Sequence, residues 1–211
     1  LSGERFIVLL QGALEICLSG GKIFKLKNRT SVFTSKPSGF YLPENTEALL
    51  TSPQEAEIAV CISRIPGTTA HHQKPYIILP EDTSSRIVGK GRYKRKVTDI
   101  LSKDRHAHFL LIGETLSQPG IWSSYPPHKH DKASSLETEM EEIYFYKVQN
   151  PRRFGIQCHY SPLFRTDKCY RIFNNNAFAI PSGYHPVSAP PDSSLYCPWI
   201  LSGTKRNLLY A

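Results

Sequence analysis

The stretch SSYPPHKHD, Ser123 to Asp131, places His128 and His130 two residues apart behind a pair of prolines. In an extended segment, residues two apart point to the same side, about 6.5 Å from one another along the strand. Both imidazoles can therefore reach one ion. Pro126 and Pro127 lack amide hydrogens, which suits a sheet edge or the mouth of a barrel better than a central ladder position. A metal site of this kind also needs a carboxylate and a further nitrogen, with a coordination position left open if it is catalytic. The acidic cluster Glu137, Glu139, Glu141 and Glu142 follows. Glu142 opens EIYFYKV, where period-two alternation puts Glu142, Tyr144 and Tyr146 on one polar face and leaves Ile143 and Phe145 for packing. Glu141 falls on the Ile143 side and reads as structural or exposed. The further nitrogen is His185 in IPSGYHPV, where Pro181, Ser182 and Gly183 form a tight turn that delivers it into the next strand.

The elements around these residues read as short strands. RFIVLLQGALEICL predicts two strands around Gln11-Gly12; SGGKIFKL, SVFTSKPSGFYLP and AEIAVCIS continue the pattern. Arg64 to Lys74, with Pro66, Gly67 and the adjacent His71 and His72, reads as a connection. Strands resume with YIILP, RIVGKGRYKRKVTDIL and HAHFLLIGETL, and after the histidine motif with EEIYFYKV, RFGIQCHYS, CYRIF, AFAIPSGYHPV and LYCPWILSG. Sixteen prolines and thirteen glycines punctuate the runs, which argues against long helices. A brief helical turn is expected only over Ser134 to Met140. Two β units in series follow, with the chemistry in the second.

At 211 residues, with 40% apolar and 21% charged residues, the composition is that of a globular protein. No apolar run approaches the roughly 18 residues that span a bilayer, so no membrane segment is expected. The chain opens without a methionine, straight into a strand, and a missing N-terminal segment is expected. Five widely spaced cysteines without a CxxC pair suggest neither a disulfide framework nor a zinc knuckle, and fit a reducing cytoplasm. The net charge of +8 has one cluster, Lys90 to Lys96, without a nucleic-acid recognition motif, so it reads as a solvated strand or hairpin and no nucleic-acid partner is expected. Open edge strands make a homo-oligomer, a dimer or larger, the expected assembly.

HxH, a glutamate heading an alternating strand, and PxGxH within one β domain form the cupin pattern, a jelly-roll-type barrel presenting three histidines and one glutamate to a metal. With SSYPPHKHD, EEIYFYK and IPSGYHPV, the words SVFxxKP (Ser31 to Pro37) and KRxVxxIL (Lys94 to Leu101) resemble the 5-deoxy-glucuronate isomerases, bicupin enzymes of myo-inositol catabolism, over nearly the whole chain. The resemblance implies an all-β bicupin of two tandem jelly-roll domains. The first, Leu1 to Ile65, would be a degenerate cupin and contains no histidine; the second, 66–211, would carry His128, His130, Glu142 and His185 as metal ligands. Zinc is the expected ion, with manganese, iron and nickel compatible with the same donors.

The implied reaction is an aldose–ketose isomerisation of a uronic-acid-type small molecule through an enediolate. Tyr144, Tyr146 and His159 are candidates for moving its proton, and Gln157 for orienting a hydroxyl from a strand face shared with Gly155 and His159. Cys158 and His159 stand where the family usually has arginine and valine, so a carboxylate clamp is expected to be missing at Cys158. Trp199 replaces a usual asparagine and is similar to a tryptophan of the 5-keto-4-deoxyuronate isomerases. That related activity, and a non-catalytic sugar-acid-binding cupin, are the alternative readings.

Overall fold

The computed structural model describes residues 3–64, 73–163 and 165–209. His71 and His72, read above as part of a connection, lie outside the described residues. The chain divides into two compact units, Leu1–Ser84 with Ile100–Leu110, and Ser85–Asp99 with Leu111–Ala211. Among the described residues, helix is limited to two single turns, Pro80–Asp82 and Gly91–Tyr93.

The first unit holds β1 (Glu4–Leu18), β2 (Ile23–Arg29), β3 (Gly39–Leu42), β4 (Ala48–Thr51), β5 (Glu57–Ser63) and β6 (Tyr76–Ile78). β1 is one strand of 15 residues where the sequence predicted two. Gln11-Gly12 makes an irregularity in the ladders and not a hairpin turn: the register shifts between Leu9 and Gln11 on one side and between Gly12 and Leu14 on the other. Gly12 has φ +81°, and a Cβ there would stand 2.6 Å from the Glu55 carbonyl oxygen. The bend lets the first half of β1 pair with β3 and β5 and the second half with β2 and β4. Ile7, Leu9, Leu14, Ile16, Leu26, Phe40 and Leu42 close the core between them. Each aliphatic side chain buried in this way contributes about 1.5–3 kcal/mol.

Ser31 to Ser35, expected as a strand, is a turn. The Ser31 carbonyl accepts the Thr34 and Ser35 amides at 3.3 and 2.9 Å, and its hydroxyl accepts the Phe33 amide at 3.1 Å. Those amides are unavailable to a ladder.

The second unit holds β7 (Ser84–Val88), β8 (Arg95–Leu101), β9 (Leu110–Ser117), β10 (Trp122–Ser123), β11 (Glu141–Phe145), β12 (Lys147–Val148), β13 (Gly155–Ser161), β14 (Thr166–Ile172), β15 (Ala177–Ile180), β16 (Val187–Ser188) and β17 (Leu195–Ser202). One sheet runs β15-β11-β17-β9-β8-β7, with β12 also on β17; the other runs β10-β16-β13-β14. Tyr144, Tyr146, Ile180, Leu195 and Cys197 share one core with Ile172 and Val187, so the two sheets pack face to face. The packing assigned to Ile143 is not found: it is 48% exposed, on the outer face of β11.

No helix forms over Ser134 to Met140. Its amides are spent elsewhere: Ser134 on the Glu137 carbonyl, Thr138 on Leu209 and Met140 on His130, each at 2.9 Å. Among the described residues no helix is long and apolar enough to cross a membrane.

The polar anchor of the first unit is Glu4, only 3% exposed. Its carboxylate accepts the Tyr41 hydroxyl at 2.8 Å and the amides of His108, of Phe109 at 2.9 Å and of Leu110 at 3.0 Å. Removing it leaves several buried donors without an acceptor, each costing about 1–3 kcal/mol. Glu4→Ala is expected to lower the unfolding free energy by about 3 kcal/mol or more, seen as a lower urea midpoint at unchanged slope. A loss below about 1 kcal/mol would show that water replaces the carboxylate.

Candidate metal centre

β11 supplies the carboxylate. Its alternation leaves Glu141 and Ile143 exposed and turns Glu142 and Tyr144 inward, where both are about nineteen-twentieths buried. β15 on one side and β17 on the other fix the register, Glu142 facing Ile180 and Leu201, and Tyr144 facing Phe178 and Trp199.

The three histidines arrive on loops, and each ring is held from behind by a backbone carbonyl. In His130, Nδ1 donates to the Met140 carbonyl at 2.8 Å, while the Met140 amide returns a bond to the His130 carbonyl at 2.9 Å. In His185, Nδ1 donates to Gly183 at 2.9 Å. His128 is bonded to the carbonyl of Pro126. This bonding fixes the tautomer of His130 and His185, and their Nε2 lone pairs point inward.

These two lone pairs meet Glu142. Its Oε2 lies 3.0 Å from His130 Nε2 and 3.3 Å from His185 Nε2, and the ligand atoms of the three residues all lie within 4.8 Å of one another. His185 Nε2 is buried and makes no hydrogen bond of acceptable geometry. Acceptors converging in this way repel unless a positive centre stands among them, and a divalent cation fits that requirement. The His128 ring stands 4.9 Å from His185 and 6.4 Å from His130, beside the cluster.

The electrostatics agree. Burial pushes His128 down to about 4, helped by the neighbouring His185, and burial likewise lowers His185. Burial also works against charge on His130, but its hydrogen bond and attraction to Glu142 win and raise it. Burial alone would raise Glu142; the His130 bond and the three imidazoles hold it below the ordinary carboxylate value. The bond between His130 and Glu142, at 3.0 Å, is the contact through which ring and carboxylate each favour the other's charged form.

A second layer positions these groups. Asp131 Oδ2 accepts the Gly183 amide at 2.8 Å, which ties the HKHD segment to the turn that carries His185. Glu137, expected only as one of an acidic cluster, is buried and accepts the Asp131 and Lys132 amides at 2.6 and 2.9 Å and Lys129 Nζ at 2.5 Å. Lys129 also bonds Asp131 at 2.9 Å. The Tyr144 hydroxyl pairs with Ser124 Oγ at 2.7 Å. Arg95, from the basic cluster, donates to the Tyr125 carbonyl at 3.1 Å, so that cluster is not wholly solvated. Asp131, Glu137, Ser124 and the buried Cys197 were not assigned from the sequence; the one signal was the long interval between His130 and Glu142.

The strand face shared by Gly155, Gln157 and His159 is the buried one, as alternation predicts. Gln157 is committed at both ends: its Oε1 accepts the Tyr146 hydroxyl at 2.5 Å, and its Nε2 donates to Cys158 and His185 carbonyls at 2.7 and 3.0 Å. It therefore holds the His185 turn instead of reaching toward a substrate. His159 Nε2 donates to the Ser182 carbonyl at 2.6 Å. Cys158 faces the opposite side of β13, so the arginine expected to be missing there is not missing from the pocket face. Trp199, opposite Tyr144, packs on the core.

The model of the KduI/IolB family matches residues 2–211. The chain is 32% identical over 205 residues to the 5-deoxy-glucuronate isomerase of Geobacillus kaustophilus, covering 96% of this chain and 73% of that protein. It is 31% identical over 207 residues to the enzyme of the same name from Bacillus subtilis, covering 96% and 74%. Among solved structures it is similar to an IolB-like protein from Salmonella typhimurium, with a TM-score of 0.90 and 31% identity over 99% of this chain and 78% of that one. Bacillus subtilis oxalate decarboxylase follows at a TM-score of 0.63 and 9% identity, covering 100% of this chain and 65% of its own, a likeness of fold alone. The fold is thus all-β and cupin-like, and the chain belongs to the KduI/IolB family.

Proposed function

We propose that the chain is a metal-dependent aldose–ketose isomerase that converts 5-deoxy-glucuronate to 5-dehydro-2-deoxy-gluconate in the cytoplasm, as a step of myo-inositol catabolism. The observation that carries this reading is the convergence of His130 Nε2, His185 Nε2 and Glu142 Oε2 within 4.8 Å of one another, with the buried His185 Nε2 left without a hydrogen-bond partner, in a member of the KduI/IolB family. His128 completes the ligand set, and zinc is the ion we favour, manganese, iron and nickel suiting the same donors. Held by these residues, a divalent cation would supply Lewis acidity to a substrate carbonyl. Residues 1–65, which contain no histidine, are read as a degenerate cupin without a metal site. The exposed Ile143 on the outer face of β11 supports a homo-oligomer.

The chain's own residues divide the remaining work. Burial pushes the Tyr144 and Tyr146 hydroxyls well above the usual phenol range, so neither accepts a proton at neutral pH. Tyr144 acts as a hydrogen-bond donor at the pocket wall, and Tyr146 holds Gln157. That leaves His159, with Nε2 on the Ser182 carbonyl, as the remaining candidate for moving the proton of the substrate carbon. Trp199 on the core face supports a second reading, the 5-keto-4-deoxyuronate isomerisation that shares this chemistry.

Metal-replete protein incubated with 5-deoxy-glucuronate in deuterated water should give the ketone by NMR, with deuterium at the exchanging carbon. Neither signal, in protein shown to hold metal, would sink the isomerase reading; saturable binding without turnover would assign a sugar-acid binder.

His185→Gln should lose the ion on dialysis against a chelator, read by elemental analysis. Asp131→Ala, which frees the Gly183 turn without touching a ligand, should weaken metal affinity about 10–100-fold. Unchanged affinity in both would remove the site.

Loading the site expels the proton held by His130, whose titration lies above the ordinary 6.5. Metal affinity should therefore fall as pH drops, with proton release on binding measured calorimetrically over a window that spans neutral pH. Binding with no proton release across that window would contradict the assigned tautomers.

A further inference from the structure

We propose that Cys158 and Cys169 are a dithiol modification site that closes to a reversible intramolecular disulfide when it meets a low-molecular-weight disulfide. The two residues are direct partners in the antiparallel β13/β14 ladder. The Cys158 amide donates away from β14, to the Pro186 carbonyl at 2.9 Å. The pair therefore occupies a non-hydrogen-bonded position, where opposed Cα atoms lie about 4.5 Å apart and side chains approach most closely. That spacing falls inside the range of about 4.4–6.8 Å that a disulfide bridges. The two Sγ atoms already touch at 3.2 Å.

Access is provided by the topology. β14 ends its sheet, Cys169 is exposed and Cys158 half-buried, while Cys61 and Cys197 are buried. The pair lies on the face of β13 opposite Gln157 and His159, so its chemistry does not require opening the metal centre. Sequence spacing alone hid it, because residues 11 apart in a hairpin have no local signature.

The oxidant is a disulfide such as glutathione disulfide. The Cys169 thiolate attacks one of its sulfurs, forming a mixed disulfide and releasing one glutathione thiol. Cys158 then gives its proton to solvent and attacks the Cys169 sulfur, expelling the second glutathione, which takes up a proton. Two protein thiols are oxidised by two electrons, and one glutathione disulfide is reduced to two thiols. Burial and the adjoining thiol push Cys158 up to about 11, which makes the exposed Cys169 the first nucleophile.

The test treats the full chain with glutathione disulfide and follows intact mass and non-reducing peptide maps. The wild type should lose two hydrogens, retain no glutathione, and yield one cross-linked peptide pair containing Cys158 and Cys169 that dithiothreitol separates. Cys158→Ser should trap a glutathione adduct on Cys169, and Cys169→Ser should give no cross-link. A wild type that keeps a stable adduct on Cys169, cross-links another pair, or remains unmodified would overturn the proposal. So would a Cys158→Ser protein with no adduct on Cys169.

Discussion

Three lone pairs aimed at one point are an arrangement that a fold does not produce by hydrophobic packing. His130 Nε2, His185 Nε2 and Glu142 Oε2 would separate if their side chains were free to turn, because nothing on the protein side donates to all of them. They are not free. The Met140 and Gly183 carbonyls occupy the far nitrogens of the two rings, and the β15 and β17 ladders fix the carboxylate between them. A buried carboxylate costs several kcal/mol unless charge compensates it. The surrounding β structure meets that cost by holding imidazoles where a proton or a cation can bridge them, so the geometry is stored in the backbone and not in the ligands.

The long interval between His130 and Glu142 has a structural use. The segment folds back so that Glu137 lies beneath the histidine motif, taking the Asp131 and Lys132 amides and Lys129. Asp131 then reaches the Gly183 amide. One buried carboxylate thus orients the loop of His128 and His130, and a neighbouring one couples it to the loop of His185. Helix formation over Ser134 to Met140 is incompatible with this path, since the Thr138 and Met140 amides are given to the Leu209 and His130 carbonyls.

Legibility from sequence follows the range of the interactions. The alternation in EEIYFYKV, the turn in IPSGYHPV and the inward face of GIQCHYS depend on local period and on one glycine at φ +82°, and all three are visible in the string. The longer strands of the second unit were legible for the same reason, whereas the two-residue β10 was not. β4 was not, because ALLT carries too short a pattern, and β1 was divided because Gly12 looks the same in a turn and in a bend that continues the strand. Ile143 misled because an apolar residue on the outer face of an edge-proximal strand has the same period as one in a core. Gln157 was read as facing a substrate and Glu137 was given no role, because no local pattern records which carbonyl or amide a side chain will meet.

The reversal at Cys158 shows what a single strand can separate. A substitution at that position, read as a sequence of letters, looks like the loss of a substrate clamp; read on the pleat, it falls on the side of β13 that does not face His159. On the inner side, Gln157 and His159 hold the carbonyls of His185 and Ser182 and so fix the turn that carries His185. On the outer side, Cys158 meets Cys169 at the sheet edge. Because successive residues of a strand are rigidly opposed, chemistry on one side can change without moving the ligands on the other. The counter-charge for an acidic substrate must then come from residues other than position 158.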